Sequence, residues 1–146
     1  AVTMSDVFCI DRHRPSFIHL IRKHCDLVFC NEAELLALYE TSDFDSAVNQ
    51  IRSDSQIAAI TRSSKGSLIV SGSDSWVAPV TASPVVDATG AGDQYAAGVL
   101  YGVTHGLSLQ EAAKLGNLAA GEVISHIGPR PAVNLRELAV AAGLKV

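Results

Sequence analysis

Three apolar runs of strand length, residues 6–10, 26–30 and 57–61, are separated by stretches whose apolar residues recur every three to four positions. That alternation restricts the chain to an α/β architecture. A parallel strand pair needs a long crossover, and an amphipathic helix supplies one while covering the sheet. The first run, Asp6-Val7-Phe8-Cys9-Ile10, is expected as a buried strand closed by the polar cluster Asp11-Arg12-His13-Arg14-Pro15. A helical pattern then starts at Ser16. The second run is followed by Asn31, which is placed as the N-cap of a helix over 32–39. Phe44, Ala47, Val48 and Ile51 have the spacing of an amphipathic helix leading into the third run. Ser63-Ser64-Lys65-Gly66 and Gly72-Ser73-Asp74 read as turns flanking strands 67–71 and 75–79, a hairpin on one edge of the sheet. From Ala91 the chain turns helical and rich in small residues as far as His105-Gly106. Ser108 with Glu111 has the capping-box spacing of a second helix running to Ile124 or beyond. Gly128-Pro129-Arg130-Pro131 breaks that helix, and Asn134 starts a short one ending at Gly143. With no repeats and no linkers, residues 1–146 are expected to form one α/β domain.

At 146 residues and 48% hydrophobic, the chain can bury the core of one domain. Lys and Arg number 11 against 15 Asp and Glu, a net charge of -4. No diffuse basic surface is therefore expected for a nucleic acid or an anionic membrane, and bound phosphate must be held locally. No run reaches the ~18 apolar residues of a spanning helix. Residues 1–6 lack the cationic and apolar regions of a signal peptide, so the expected address is the cytoplasm. Cys9, Cys25 and Cys30 are odd in number and have no C-x-x-C spacing, so they are expected reduced and packed as small hydrophobes. His13, His19, His24, His105 and His126 share no metal-ligand spacing.

The chemistry concentrates in Val85-Val86-Asp87-Ala88-Thr89-Gly90-Ala91-Gly92-Asp93, which places three small residues between an expected strand and a long helix. Backbone can approach a ligand closely there, and the free N–H groups of the first helical turn point at a negative charge. A carboxylate beside a bound phosphoryl group is costly unless it takes the proton of the incoming nucleophile, so Asp93 reads as a general base. It reads equally as a helix cap beside a tight turn, and spacing alone leaves both open. No Gly-x-x-x-x-Gly-Lys-Ser/Thr occurs, and Tyr95 stands where the dinucleotide fingerprint needs its third glycine. A P-loop and a nicotinamide dehydrogenase are both unexpected.

Asp87-Ala88-Thr89-Gly90-Ala91-Gly92-Asp93 resembles the C-terminal signature of the ribokinase-like (PfkB) carbohydrate and nucleoside kinases, whose usual form is Asp-Thr-Thr-Gly-Ala-Gly-Asp. Asn31-Glu32-Ala33-Glu34 resembles the family's Asn-x-x-Glu motif, and Thr61-Arg62-Ser63-Ser64-Lys65-Gly66 its nucleotide-contacting Thr-x-Gly-x-x-Gly turn, in the family's order. The resemblance implies a three-layer α/β/α fold, of which this chain is the C-terminal nucleotide-binding half, with a mostly parallel sheet and an antiparallel hairpin edge. It implies ATP and magnesium. Gly90, Ala91 and Gly92 would form the anion hole for the transferred phosphoryl group, and Asp93 would deprotonate the substrate hydroxyl. Asn31 and Glu34 would arrange magnesium through its waters; the alternative is an N-cap with a solvated first-turn Glu. Thr61, Ser63 and Gly66 would line the nucleotide with Asn117 beside the adenine, although Asn117 could instead pair with a neighbouring carbonyl. Asp87, Thr89 and Gly128 resemble segments that hold a monovalent cation, which makes potassium a candidate activator.

Gln94-Tyr95 replaces the family's usual small residue and Phe, and Ser63 stands where the nucleotide turn often has Gly. Asp11-Arg12-His13-Arg14 only loosely resembles a further family segment and is assigned no role. Family members are much longer, and the N-terminal half with the Gly-Gly signature, most substrate contacts and the lid has no counterpart here. A half on its own would expose a sheet edge and an apolar face, which predicts association with the missing half or as a homodimer. The chain resembles most the bacterial adenosine-kinase-like members described as sugar kinases. The expected partners are ATP and a nucleoside, adenosine foremost, or a sugar such as ribose or fructose. A nucleotide-binding module without catalysis and a purely structural α/β domain are the competing readings.

Overall fold

Asp6 decides how the chain begins. In the computed structural model, which describes residues 1–80 and 83–146, its carboxylate accepts the Cys9 N–H at 2.7 Å and caps a helix, α1 (Val7–His24). The strand expected over 6–10 is therefore the first turn of α1, and the real first strand, β1 (Val2–Thr3), lies upstream. Four apolar residues in a row suit either element. What decides is the next period, in which Ile10, Phe17 and Ile21 turn one face of α1 inward while Phe8 stays exposed. The cluster 11–15 lies inside the same helix, which departs from helical geometry at His13 (φ -129°, ψ 23°) just ahead of Pro15.

The next elements follow the pattern read from sequence: β2 (Leu27–Asn31), α2 (Glu32–Leu38), α3 (Phe44–Asp54) and β3 (Ile57–Thr61). β1 and β2 pair in parallel, as do β2 and β3, the latter in a register that sets Val28 opposite Ala58 and Asn31 opposite Thr61. Residues 27–30 are buried throughout, as a strand covered on both faces requires. A 3-10 turn (Ser63–Lys65) leads to β4 (Ser67–Ser71) and β5 (Asp74–Ala78). These two are joined through Gly72-Ser73 alone, a connection only an antiparallel pair permits. The sheet has five strands in the order β1-β2-β3-β4-β5, which puts the hairpin at one edge as expected.

The chain divides into two compact units, Ala1–Ser63 with Leu68–Ser75, and Ser64–Ser67 with Trp76–Val146. In the first, Met4, Ile10, Ile21, Val28, Leu35, Ile51 and Ile60 belong to one buried cluster. Asp54 ties its helices at the rim, accepting from Arg22 Nε and Nη2 (2.7 and 3.2 Å) and from the Tyr39 hydroxyl (2.9 Å).

The second unit is built on α4 (Ala91–Thr104), α5 (Leu109–Val123) and α6 (Leu135–Ala141). α5 stops at Val123, well ahead of the Gly-Pro segment expected to break it, with Ile124 as its C-cap. α4 and α5 pack through small residues. A side-chain carbon added at Gly98 would lie 2.8 Å from the Gly116 Cα, and one at Gly102 2.8 Å from the Ala112 Cβ, so the two backbones approach as closely as backbones can.

Candidate active site

Asn31 and Thr61 end neighbouring parallel strands, at the carboxyl edge where open α/β sheets place their ligands. Asn31 caps α2: its Oδ1 accepts the Glu34 N–H at 2.8 Å, and Glu34 Oε2 accepts the Asn31 N–H at 2.8 Å. The expected cap is thus a reciprocal box, but Glu34 is buried at 7% exposure rather than solvated. Direct ligation of a cation by the two bonded oxygens would break this box. A magnesium ion keeping its own waters would need only the second Glu34 oxygen, so the pair fits a water-mediated hold. The adjoining Arg62 is fixed by Glu32 at 3.0 Å and lies 3.8 Å over the Phe44 ring. Ser63 follows with φ +51°, a left-handed conformation at the position where glycine was the expected residue.

The remaining sites belong to the second unit. Gly66 has φ +84°, and a Cβ there would fall 2.1 Å from the Ala78 carbonyl oxygen. The same strand end receives Asn117, whose Nδ2 donates to the Ala78 and Pro79 carbonyls, both at 2.9 Å. Gly66 and Asn117 therefore converge on one stretch of backbone, and the carbonyl pairing weighed for Asn117 is what its amide does.

Among the described residues no strand leads directly into the glycine loop, contrary to expectation: residues 83–90 form irregular structure, with Val85 72% and Val86 57% exposed. The Val86 and Asp87 N–H groups both donate to the Ile124 carbonyl, at 2.8 and 3.3 Å. The loop is thus tied to the end of α5 instead of being paired along its length. Asp87 Oδ1 accepts the Thr89 N–H at 2.9 Å and Oδ2 the Gly128 N–H at 3.0 Å, so the three residues expected around a monovalent cation do meet. Hydrogen bonds from Thr89 and Gly128 push the Asp87 carboxyl down to about 2. Each oxygen keeps a lone pair beyond these bonds, so the set also fits an oxygen-coordinated monovalent cation.

Gly90 (φ +80°) is the N-cap of α4 and offers no side chain to cap it. Pro129 occupies the space its Cβ would need, at 2.6 Å. The Ala91 N–H closes a turn on the Ala88 carbonyl at 3.2 Å. Helix geometry leaves the Gly92 and Asp93 N–H groups without an intrahelical acceptor. Gly92 has open space where its Cβ would be, and Asp93 is exposed in the first turn, so no capping bond explains the carboxylate.

Sequence reasoning passed over Gln94, Pro129 and Glu122. Gln94 Nε2 donates to the Pro129 carbonyl at 3.2 Å, and Glu122, near the end of α5, accepts the Ala132 N–H at 2.9 Å. The one available signal was Glu122 itself, an acid directly after the small and apolar stretch Leu118-Ala119-Ala120-Gly121. Among the described residues no group of three or more His, Cys, Asp or Glu could hold a metal, and no helix is long and apolar enough to cross a membrane.

Residues 4–135 match the model of the pfkB family carbohydrate kinases. The chain belongs to that family. A solved adenosine kinase from Sinorhizobium meliloti is 51% identical, with a TM-score of 0.93 over 96% of this chain and 43% of that one. A probable sugar kinase from Rhizobium etli is 49% identical, with a TM-score of 0.95 over 97% of this chain and 43% of that one. A cytidine kinase from Thermococcus kodakarensis is 32% identical over 118 residues, 79% of this chain and 42% of its own length. This pfkB family chain thus spans less than half the length of the relatives it matches. Its fold is the ribokinase-like α/β fold, which solved ribokinases share at lower identity.

Proposed function

We propose that this chain is the phosphate- and nucleotide-handling part of an ATP-dependent kinase that transfers the γ-phosphoryl group of ATP to a primary hydroxyl of a nucleoside, adenosine foremost, or of a sugar. The observation that carries the reading is the uncapped start of α4, where unpaired N–H groups and the exposed Asp93 carboxylate lie side by side. The 51% identity to an adenosine kinase supports adenosine as the acceptor over ribose or fructose.

In this reading Asp93 takes the proton of the acceptor hydroxyl as its oxygen bonds to the γ-phosphorus. The bond from that phosphorus to the bridging β–γ oxygen breaks, and ADP leaves. The amides of the Gly90-Ala91-Gly92 loop that the Ala91–Ala88 turn leaves free stabilise charge on the phosphoryl oxygens, the kind of preorganised donor set on which phosphoryl transfer depends. Asn31 and Glu34 would hold magnesium through its waters, and the ion would supply positive charge to offset that of the nucleotide phosphates. Thr61, Ser63 and Gly66 would line the nucleotide, with Asn117 beside the adenine, and Asp87, Thr89 and Gly128 would hold a potassium ion. Such an enzyme works on the soluble ATP pool of the cytoplasm.

The test is ADP release by the whole protein with ATP, magnesium and adenosine, guanosine, cytidine, ribose or fructose. Turnover is expected with adenosine, and Asp93→Asn should lower it by ~10²–10⁴-fold while ATP binding survives. Retention of most activity in Asp93→Asn removes the base assignment. ATP binding with no product from any acceptor favours a binding module.

A further inference from the structure

Glu122 is the one acid in α5 that neither caps the helix nor faces solvent; its side chain is 8% exposed. Its Oε1 accepts the Ala132 N–H at 2.9 Å and lies 3.2 Å from His126 Nε2. Its Oε2 is buried without a hydrogen-bond partner among the described residues. A carboxylate drawn out of water with one oxygen unpaired contributes poorly to stability. The bonds it does make hold His126 near the start of a turn and Ala132 at its end. Between them, the Gly128 N–H meets Asp87 at 3.0 Å and the Pro129 carbonyl accepts Gln94 at 3.2 Å. Pro129 also fills the space beside Gly90. The turn therefore touches the glycine loop ahead of Gly90-Ala91-Gly92, at it, and just behind it.

We propose that Glu122 is a positioning residue: by clamping His126 and the Ala132 N–H it holds the 126–132 turn as a template that keeps the Gly90-Ala91-Gly92 amides aimed at the transferring phosphoryl group. This rests on the kinase reading above. Loss of the clamp lets the template shift. A misplacement on the order of 1 Å at a reacting centre can cost ~10²-fold in rate. Nucleotide binding through Thr61, Ser63, Gly66 and Asn117 does not pass through the turn, so the loss falls on turnover and spares the nucleotide.

The experiment uses the whole protein with ATP, magnesium and its best acceptor. Glu122→Ala should lower kcat by about 10- to 100-fold and leave KM for ATP within about twofold. Glu122→Gln keeps an oxygen where Oε1 accepts Ala132 and should recover most of that loss. Hydrogen exchange is followed in the same variants at the amides of Val86, Asp87, Thr89, Ala91 and Gln94, all bonded inside this unit. Glu122→Ala should speed exchange there and leave the amides of α3 unchanged. Unchanged kcat, or a loss confined to KM for ATP, overturns the proposal, as does failure of Glu122→Gln to recover turnover when it folds. A wild-type protein that turns over no acceptor refutes the kinase reading instead; exchange then decides the clamp alone, faster exchange upholding it and unchanged exchange overturning it. If Glu122→Ala does not fold, Gln94→Ala breaks the template at its other contact and is read by the same two measurements.

Discussion

Gly98→Ala should destabilise the protein even though alanine is the better helix former. Gly98 lies within α4, and its Cβ would sit 2.8 Å from Gly116 Cα, 2.9 Å from Gly116 N and 2.9 Å from the Leu115 carbonyl oxygen. All three are backbone atoms of α5 and cannot rotate aside. Ordinary contact requires α4 and α5 to part by about 0.6 Å at this point, a shift that costs 1–3 kcal/mol in packed interiors. The same parting loosens Tyr95 against Gly116 and Gly102 against Ala112, forfeiting about a quarter of those dispersion contacts. Helix propensity returns about 1 kcal/mol and the forfeited dispersion takes back about as much, so the net loss is roughly 1–3 kcal/mol. Urea unfolding of the whole protein measures it as a lower midpoint at unchanged slope. Gly92→Ala is the control, because nothing lies within 4 Å of its Cβ position. It should be neutral or slightly stabilising, yet under the proposed function it loses turnover because the added methyl stands where the phosphoryl group approaches. The reasoning is refuted if Gly98→Ala is as stable as the wild type, or if both variants lose the same amount.

Gly66→Ala combines left-handed strain with a clash 2.1 Å from the Ala78 carbonyl oxygen and should cost about 3–5 kcal/mol. Gly72→Ala, at φ +54° with open space around it, should cost only ~1 kcal/mol; thermal melts showing equal losses would contradict the clash. Ser63→Gly relieves a φ of +51° on an exposed residue and should stabilise by ~0.5–1 kcal/mol, seen as a raised denaturation midpoint. With the Asp87 carboxyl pushed down to about 2 from an ordinary 3.8, its contribution to stability is complete above pH 4 and lost as pH falls through 2. Asp87→Asn should therefore be less stable than the wild type above pH 4, with the gap closing toward pH 2; a gap constant across that window would remove the assignment.

What could be read from the sequence is what depends on near neighbours in the chain. The cap at Asn31 and the box at Ser108 with Glu111 formed as the spacing indicated, whereas the return of Glu34 to close a second box was not read from it. β2 and β3 have enough apolar length to declare themselves. β1 does not, because Val2 and Thr3 become a strand only by pairing with Val28 and Phe29. The more conspicuous run at 6–10 took the strand assignment in its place, although Asp6 was already positioned to cap a helix. Val85-Val86 failed for the related reason that an apolar pair is not a strand without a partner, and the atom that holds it is the Ile124 carbonyl. The glycines carry the point further. Gly66, Gly90 and Gly98 look alike in sequence, but one is required by a carbonyl of β5, one by Pro129 and one by the backbone of α5. Motif spacing could assign Gly90 to an anion hole. It could not reveal that Pro129 packs against Gly90 or that Glu122 bonds Ala132 beyond Pro129, because those partners lie more than thirty residues downstream of it. Local chemistry names the groups of this site, and distant packing sets their aim, so variants of the supporting turn should test the site as sharply as variants of Asp93.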